Sequence, residues 1–260
     1  MKTLKFISMG VLFLLGTLVI KAQTADEIIS NFIENTGGLD AWKSLKALKF
    51  EGNVDIGQGI TIPIEVISTN DGKTMIKANF QGQNFYQTVY DGETLWGTNQ
   101  MTMQAEKSDA EATANYKNEA NDFPDPFIDY KEKGYTVELI GNETIEGTDT
   151  YKIKLVKEPV MVDGKEEQDI SFYYFDTENF VPIVVETEIN SGPAAGMVSQ
   201  TKLSDYQEVD GLYFAFSIVD GIKGQPGGQG VTITSISLNP EVDESIFAFP
   251  EPVSTGETKE

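Results

Sequence analysis

The sequence predicts a mainly β chain with a few helices, an α+β fold built on an antiparallel sheet. Three observations predict it. From residue 48 onward apolar and polar residues alternate with period two in one short segment after another. Turn signals of the Asn-Gly and Asp-Gly kind separate those segments, and no helical pattern lies between most successive ones. A parallel α/β fold needs a helix in each crossover, so a meandering antiparallel sheet with one polar and one apolar face fits better.

The elements follow in order. Residues 1–22 carry Lys2, Lys5 and Lys21, no acid, and an apolar run from Phe6 to Ile20, the pattern of a signal peptide cut near Ala22 or Gln23. Thr24-Ala25-Asp26-Glu27 has the form of a capping box, and Ile28, Ile29, Phe32 and Ile33 then share one helical face up to Gly37-Gly38. A second short helix from Leu39 to about Lys46 places Trp42 and Leu45 on one side. Strands are expected at 48–56, 60–66, 74–80, 84–90, 135–140, 151–156, 170–175, 183–189, 197–203, 212–218 and 231–238, with Pro63 suggesting an edge or a bulge. Reversals are expected at Asn70-Asp71-Gly72, Asp91-Gly92, Gly141-Asn142, Asp163-Gly164, Asp210-Gly211 and Asp220-Gly221. The interruption at 101–133 contains an Ala-rich helix around 108–121, broken by Phe123-Pro124-Asp125-Pro126-Phe127. A connection of that length is either a lid over an opening in the sheet or a surface insertion. One domain is expected over 23–250, followed by a flexible tail at 251–260.

Composition narrows the chemistry. Among 260 residues there are 41 Asp or Glu against 19 Lys, with no Arg, no His and no Cys, for a formal net charge of -22. A Ser-His-Asp triad, a cysteine nucleophile, a thiolate or imidazole metal site, a haem ligated by either and any disulfide are therefore excluded. A pI near 4.3 speaks against nucleic-acid binding and against an anionic membrane surface. Without Cys the exported chain is not lipid-anchored, and after cleavage no integral membrane segment is expected.

Several apparent motifs fail. The Gly-rich stretch 224–230 lacks the Lys-Ser/Thr and the strand-to-helix context of a phosphate loop. Asp122, Asp125 and Asp129 are interrupted by Pro124 and Pro126 and do not follow a calcium-loop pattern. Glu186 and Glu188, a conceivable glycosidase pair, lie two apart on a strand and read as solvated outer-face charges. Lys202 and Tyr206 with Ser199 or Ser204 show no spacing that would single out a nucleophile.

Local sequence features resemble a known family. The Ala25-Asp26-Glu27-Ile28-Ile29 helix before Gly37-Gly38, the Tyr90-Asp91-Gly92-Glu93-Thr94-Leu95-Trp96 hairpin and Leu139-Ile140-Gly141-Asn142-Glu143 are similar to the bacterial outer-membrane lipoprotein-sorting proteins with the LolA/LolB-like fold, as a divergent member. So are Tyr174-Phe175-Asp176, Asp205-Tyr206 through Gly211-Leu212-Tyr213-Phe214, and Leu238-Asn239-Pro240 through Asp243-Glu244-Ser245-Ile246-Phe247. The resemblance implies an incomplete antiparallel β-barrel wrapped around N-terminal and lid helices, with a hydrophobic cavity that carries acyl chains through the periplasm. It also implies a lid held by an arginine, which this chain lacks.

The cavity wall is expected from the apolar strand faces: Leu48, Phe50, Ile62, Ile64, Tyr151, Ile153, Phe172, Tyr174, Ile183, Val185, Phe214, Phe216 and Ile218. Phe123, Pro124, Pro126 and Phe127 are the candidate lid residues. The expected function is a non-enzymatic carrier or binding protein for lipid or lipoprotein acyl chains, periplasmic or secreted and monomeric, with no cofactor and no metal. The alternative is a structural or interaction subunit of an envelope complex, in which inward-facing aromatics fill the barrel and no lipid is bound.

Overall fold

The computed structural model describes residues 23–57 and 59–250. The expected signal segment 1–22 and tail 251–260 lie outside the described residues. Helix α1 (Ala25–Asn35) opens on the expected capping box: the Thr24 hydroxyl accepts from the Glu27 amide and the Glu27 carboxylate accepts from the Thr24 amide. Its face of Ile28, Ile29 and Phe32 is buried. Helix α2 (Leu39–Lys43) follows, and Trp42 on it donates from Nε1 to the Thr36 hydroxyl at 3.1 Å. Between them Gly37 has φ 123°, and a Cβ there would stand 2.4 Å from the Gly211 carbonyl oxygen, so only glycine lets the helix pair sit this close to the sheet.

The first half of the sheet is β1 (Ala47–Asp55), β2 (Thr61–Thr69), β3 (Thr74–Phe80), β4 (Gln83–Tyr90), β5 (Leu95–Thr98) and β6 (Ala105–Lys107). Helix α3 (Ala110–Ala120) intervenes, with Asp109 capping it through the Ala112 amide. Then come β7 (Thr136–Ile145), β8 (Thr148–Val156), the small hairpin β9 (Val160–Val162) and β10 (Lys165–Glu167), β11 (Ile170–Asp176), β12 (Pro182–Glu188), β13 (Val198–Val209), β14 (Leu212–Ile222) and β15 (Gln229–Leu238). A 3-10 turn, Glu244–Phe247, closes the described chain.

Thirteen strands form one antiparallel sheet in the order β6, β5, β4, β3, β2, β1, β15, β14, β13, β12, β11, β8, β7. The end strands β6 and β7 do not pair, so the barrel is incomplete, as the sequence resemblance implied. The chain meanders from β1 to β6 and again from β7 to β15, and the β1–β15 ladder joins the two halves.

The inner face carries two apolar cores. Under α1, Ile28, Ile29 and Phe32 pack with Phe127, Tyr130, Ile153, Leu155 and Phe175. Under α2, Trp42 and Leu45 pack with Leu48, Ile128, Leu212, Phe214, Phe216, Ile233 and Ile236. A third cluster lies on the outer face, where Ile67, Met75, Val89 and Trp96 are covered by Phe247, and the Trp96 indole donates to the Phe247 carbonyl at 2.9 Å. The closing segment is thus part of the folded body.

Several local expectations need correction. Gly141-Asn142 does not reverse the chain; β7 runs through it with a bulge between Leu139 and Gly141, and the reversal is Glu146-Gly147, both at positive φ. Asp220-Gly221 lies inside β14, and the turn comes after Ile222. Pro63 is on an interior strand, beyond the last β2–β3 pair at Ile64, where its missing N–H is not needed.

Glu186 is not solvated. It is 4% exposed on the outer face and accepts from the Tyr174 hydroxyl, the Gln200 amide and Lys223 Nζ, each at 2.8 Å. Burial pushes its pKa up, but the bonds from Lys223, Gln200 and Tyr174 outweigh that and hold it below the usual glutamate value. Truncating it would strip Lys223 and Gln200 of their acceptor and leave the buried Tyr174 hydroxyl with Lys152 alone, so Glu186→Ala should cost about 2–3 kcal/mol in chemical denaturation at neutral pH. The loss should shrink as the pH falls through the Glu186 pKa, where the parent gives up the same ionic bonds.

Candidate functional site

Between the inner face of the sheet and the segment that follows β6 lies a partly open cavity of about 590 Å³ with mainly apolar walls. Leu48, Phe50, Val66 and Ile76 line it from β1, β2 and β3; Val185, Leu203, Phe214 and Ile218 line it from β12, β13 and β14. Tyr116, Glu119 and Ala120 on α3, with 122–126 behind them, form the opposite wall. Register explains the strand side: Leu48, Phe50, Val66 and Ser68 stand opposite one another across β1 and β2 with one face in common.

Of the wall residues expected from the sequence, Leu48, Phe50, Val185, Phe214 and Ile218 line this cavity. Ile62 and Ile64 continue the same face of β2 beyond it, half-buried. Ile183 lines a neighbouring cleft with Asn35 and Tyr206. Ile153 is fully buried in the core under α1, Tyr151 packs against that core, and Phe216 is buried in the cluster under α2. Phe172 and Tyr174 point to the opposite, outer face, where Lys152 Nζ stands 5.1 and 4.9 Å from their ring centres. Residues 172–175 are aromatic throughout, so period two assigns no face here. The register does, turning Tyr173 and Phe175 inward.

Val66, Ile76, Leu203 and Tyr116 also line the cavity and are not among the wall residues expected from the sequence. Val66 and Ile76 are findable from alternation on strands already expected; Tyr116 is not, because α3 buries no residue fully and has no apolar stripe.

The interruption at 101–133 is not one element. Residues 105–107 extend the sheet as β6, and α3 and 122–126 cover the cavity. Phe127, Ile128 and Tyr130 are core residues. Phe123, Pro124 and Pro126 touch the cavity, whereas Phe127 is 1% exposed and edge-packed on Tyr173, Phe175 and Phe32. Phe127 is therefore an anchor of the covering segment.

That segment is held without arginine. Asn115 pairs with the Met161 backbone in both directions at 2.8 Å, as a strand neighbour would, and Asn118 donates to the Pro159 carbonyl at 3.2 Å. Glu111 accepts from the Asp163 and Gly164 amides at 3.0 and 2.8 Å, so α3 is clamped to the β9–β10 hairpin. At its far end Asp122 accepts from Lys157 Nζ at 2.8 Å and from the Tyr135 hydroxyl at 2.9 Å, and Lys157 also pairs with Asp169 at 3.1 Å. On the inner side Tyr116 meets Tyr90 edge-on, with ring centres 5.3 Å apart.

The acids noted in the sequence go to separate partners: Asp122 to Lys157 and Tyr135, Asp129 to Lys43 at 2.7 Å, and Asp125 Oδ1 to the Phe127 amide at 2.9 Å. Among the described residues no three His, Cys, Asp or Glu converge as metal ligands. Lys202 pairs with Glu146 and Tyr206 donates to the Pro182 carbonyl, so the two do not form a nucleophile–base pair.

Asp125 sits in the cavity wall, and burial pushes its carboxyl up to about 6, against 3.8 for an ordinary aspartate. The folded state then binds this proton more tightly than the unfolded chain, so stability falls as pH rises from about 4 to 6. Asp125→Asn keeps the acceptor for the Phe127 amide and removes the buried charge. It should stabilise the protein by about 1–2 kcal/mol at pH 7.5 and leave it unchanged at pH 3.5, read from urea melts at the two pH values.

No family model and no curated protein matches the sequence. Solved structures do match. A DUF1329 family protein from Desulfovibrio piger superposes with a TM-score of 0.54 at 13% identity, covering 86% of this chain and 96% of its own. A LolA superfamily protein from Nitrosomonas europaea does so at 0.53 and 14%, covering 87% and 98%. The chain has the LolA-type fold. A domain named for outer-membrane lipoprotein sorting, from Vibrio parahaemolyticus, shares the LolA-type fold at 0.52 and 11%, covering 85% and 94%. At such identities the likeness extends to the LolA-type architecture and not to individual side chains.

Proposed function

We propose that the protein is a non-enzymatic carrier of lipid or lipoprotein acyl chains that works in the periplasm or after secretion, as a monomer, with the chain lying in the cavity under α3. The observation that carries this reading is the cavity itself. Its volume of about 590 Å³ falls within the range of small-ligand sites, and its walls are apolar side chains on rigid strands. An acyl chain gains about 0.8 kcal/mol for each CH₂ it buries, so even partial filling supports tight binding. Leu48, Phe50, Val66, Val185, Phe214 and Ile218 would hold the chain. Phe123, Pro124 and Pro126 with α3 would form the cover, hinged between the Asn115 clamp and the Phe127 anchor. The lipoprotein-sorting name of the Vibrio domain is in keeping with such a cargo.

Titration with a fluorescent fatty-acid probe tests the reading. Saturable binding near one probe per chain, displaced by unlabelled fatty acid or lysophospholipid, is the expected result. Absence of saturable binding would return the protein to the alternative, an envelope interaction subunit without lipid.

A further inference from the structure

The chain is polarised in a way its composition conceals. Antiparallel registers place five connections at one end of the sheet, side by side in sheet order: those between β5 and β6, β3 and β4, β1 and β2, β14 and β15, and β12 and β13. In sequence these are 99–104, 81–82, 56–60, 223–228 and 189–197, and in a protein with 41 acids they contain no Asp or Glu. Their one charged residue, Lys223, is paired with Glu186. The turns at the opposite end each carry an acid: Asp71, Asp91, Glu146, Glu178 and Asp210.

These acid-free loops are also where apolar side chains reach water. Ten large hydrophobic residues are exposed among the described residues, and six of them, Ile56, Ile60, Phe80, Met101, Met103 and Met197, sit in or at the end of a strand bordering these loops. Met101 is 92% exposed. Val54, Ile62 and Ile64 continue the inner face of β1 and β2 from the cavity toward the same end. The β9–β10 connection, with Glu158, Asp163, Glu166 and Glu167, points the same way from β8 and β11 but bounds the neutral stretch instead of interrupting it.

We propose that this rim docks on the surface of a bilayer of electrically neutral lipids. Elsewhere the acidic chain would be repelled by anionic surfaces, and charged turns would have to be desolvated at a headgroup layer. Loop tips bearing Met, Ile and Phe, with no acid within the loops themselves and the flanking Asp55 and Glu106 turned to loop amides, can enter the interface at little cost. A neutral bilayer also matches a patch that offers a protein partner no charge pattern to recognise.

Flotation of the full chain with phosphatidylcholine vesicles tests this. The parent should float, and phosphatidylglycerol in the vesicles should weaken binding. The triple variant Phe80→Asp, Met101→Asp, Met103→Asp should bind at least about tenfold more weakly. Glu93→Gln, at the opposite end, should leave binding unchanged. All four positions are exposed or in turns, and an unaltered melting curve checks that the triple variant folds. No flotation of the parent overturns the proposal, as does flotation that the triple variant preserves. Lipid-independent self-association abolished by the same substitutions would assign the rim to a second copy and overturn it as well. The fatty-acid probe reads the cavity separately: a triple variant that loses vesicles but keeps the probe separates rim from carrier, and a parent that floats without binding probe leaves the rim and removes the carrier.

Discussion

Phe127→Ala should destabilise the protein by about 3–5 kcal/mol, enough to consume much of the stability of an ordinary domain. The side chain is 1% exposed, and its ring stands 4.8 Å from Tyr173, 5.5 Å from Phe175 and 6.2 Å from Phe32 in edge-on contacts. Truncation loses the transfer energy of a large ring and leaves a hole that strands and helix α1 cannot close. Phe127→Leu retains most of the buried volume and should lose about half as much. Equilibrium urea unfolding checks both. A loss under about 1 kcal/mol for the alanine variant would mean that 123–127 is a detachable flap, in which case the covering segment has no fixed end.

The second large effect concerns binding. Val66 projects into the cavity beside Phe50, so Val66→Trp should fill space that is otherwise open to a ligand. Fatty-acid probe affinity is expected to fall at least about tenfold while stability changes by less than about 1 kcal/mol. In a solid core the same substitution overpacks and should cost about 1–3 kcal/mol. The carrier reading thus predicts lost affinity with stability kept, the solid-core reading lost stability with no probe affinity to lose, and both are measurable on one preparation.

The sheet was legible wherever one face of a strand meets water. Thr74 to Phe80 could be bounded from alternation alone, and the capping box at Thr24 and Glu27 marked the start of α1. Legibility failed where both faces are buried. In β11 the outer face packs under Lys152 and against Glu186, the inner face under α1, and four successive aromatics result. Phe172 and Tyr174 were assigned inward for that reason. Strands of three residues, such as β6 and β9, are shorter than any period can reveal; β6 pairs with the preceding β5, and β9 with β10 and with the distant Asn115 side chain. The burial of Glu186 depends on Gln200 from β13 and Lys223 from the turn after β14, which local sequence does not encode. The neutral rim, by contrast, could have been read from the sequence, since apart from the acidic connection 157–169 the loops free of acid alternate along the chain with turns that carry it.

Whether the cavity holds acyl chains is decided by mass spectrometry of the organic extract of the full chain, purified from its native source without detergent. Acyl-bearing lipid approaching one molecule per chain, and much reduced in the Val66→Trp variant purified alongside, is the predicted result. An extract without acyl lipid from a parent that also fails to take up the fatty-acid probe would contradict it.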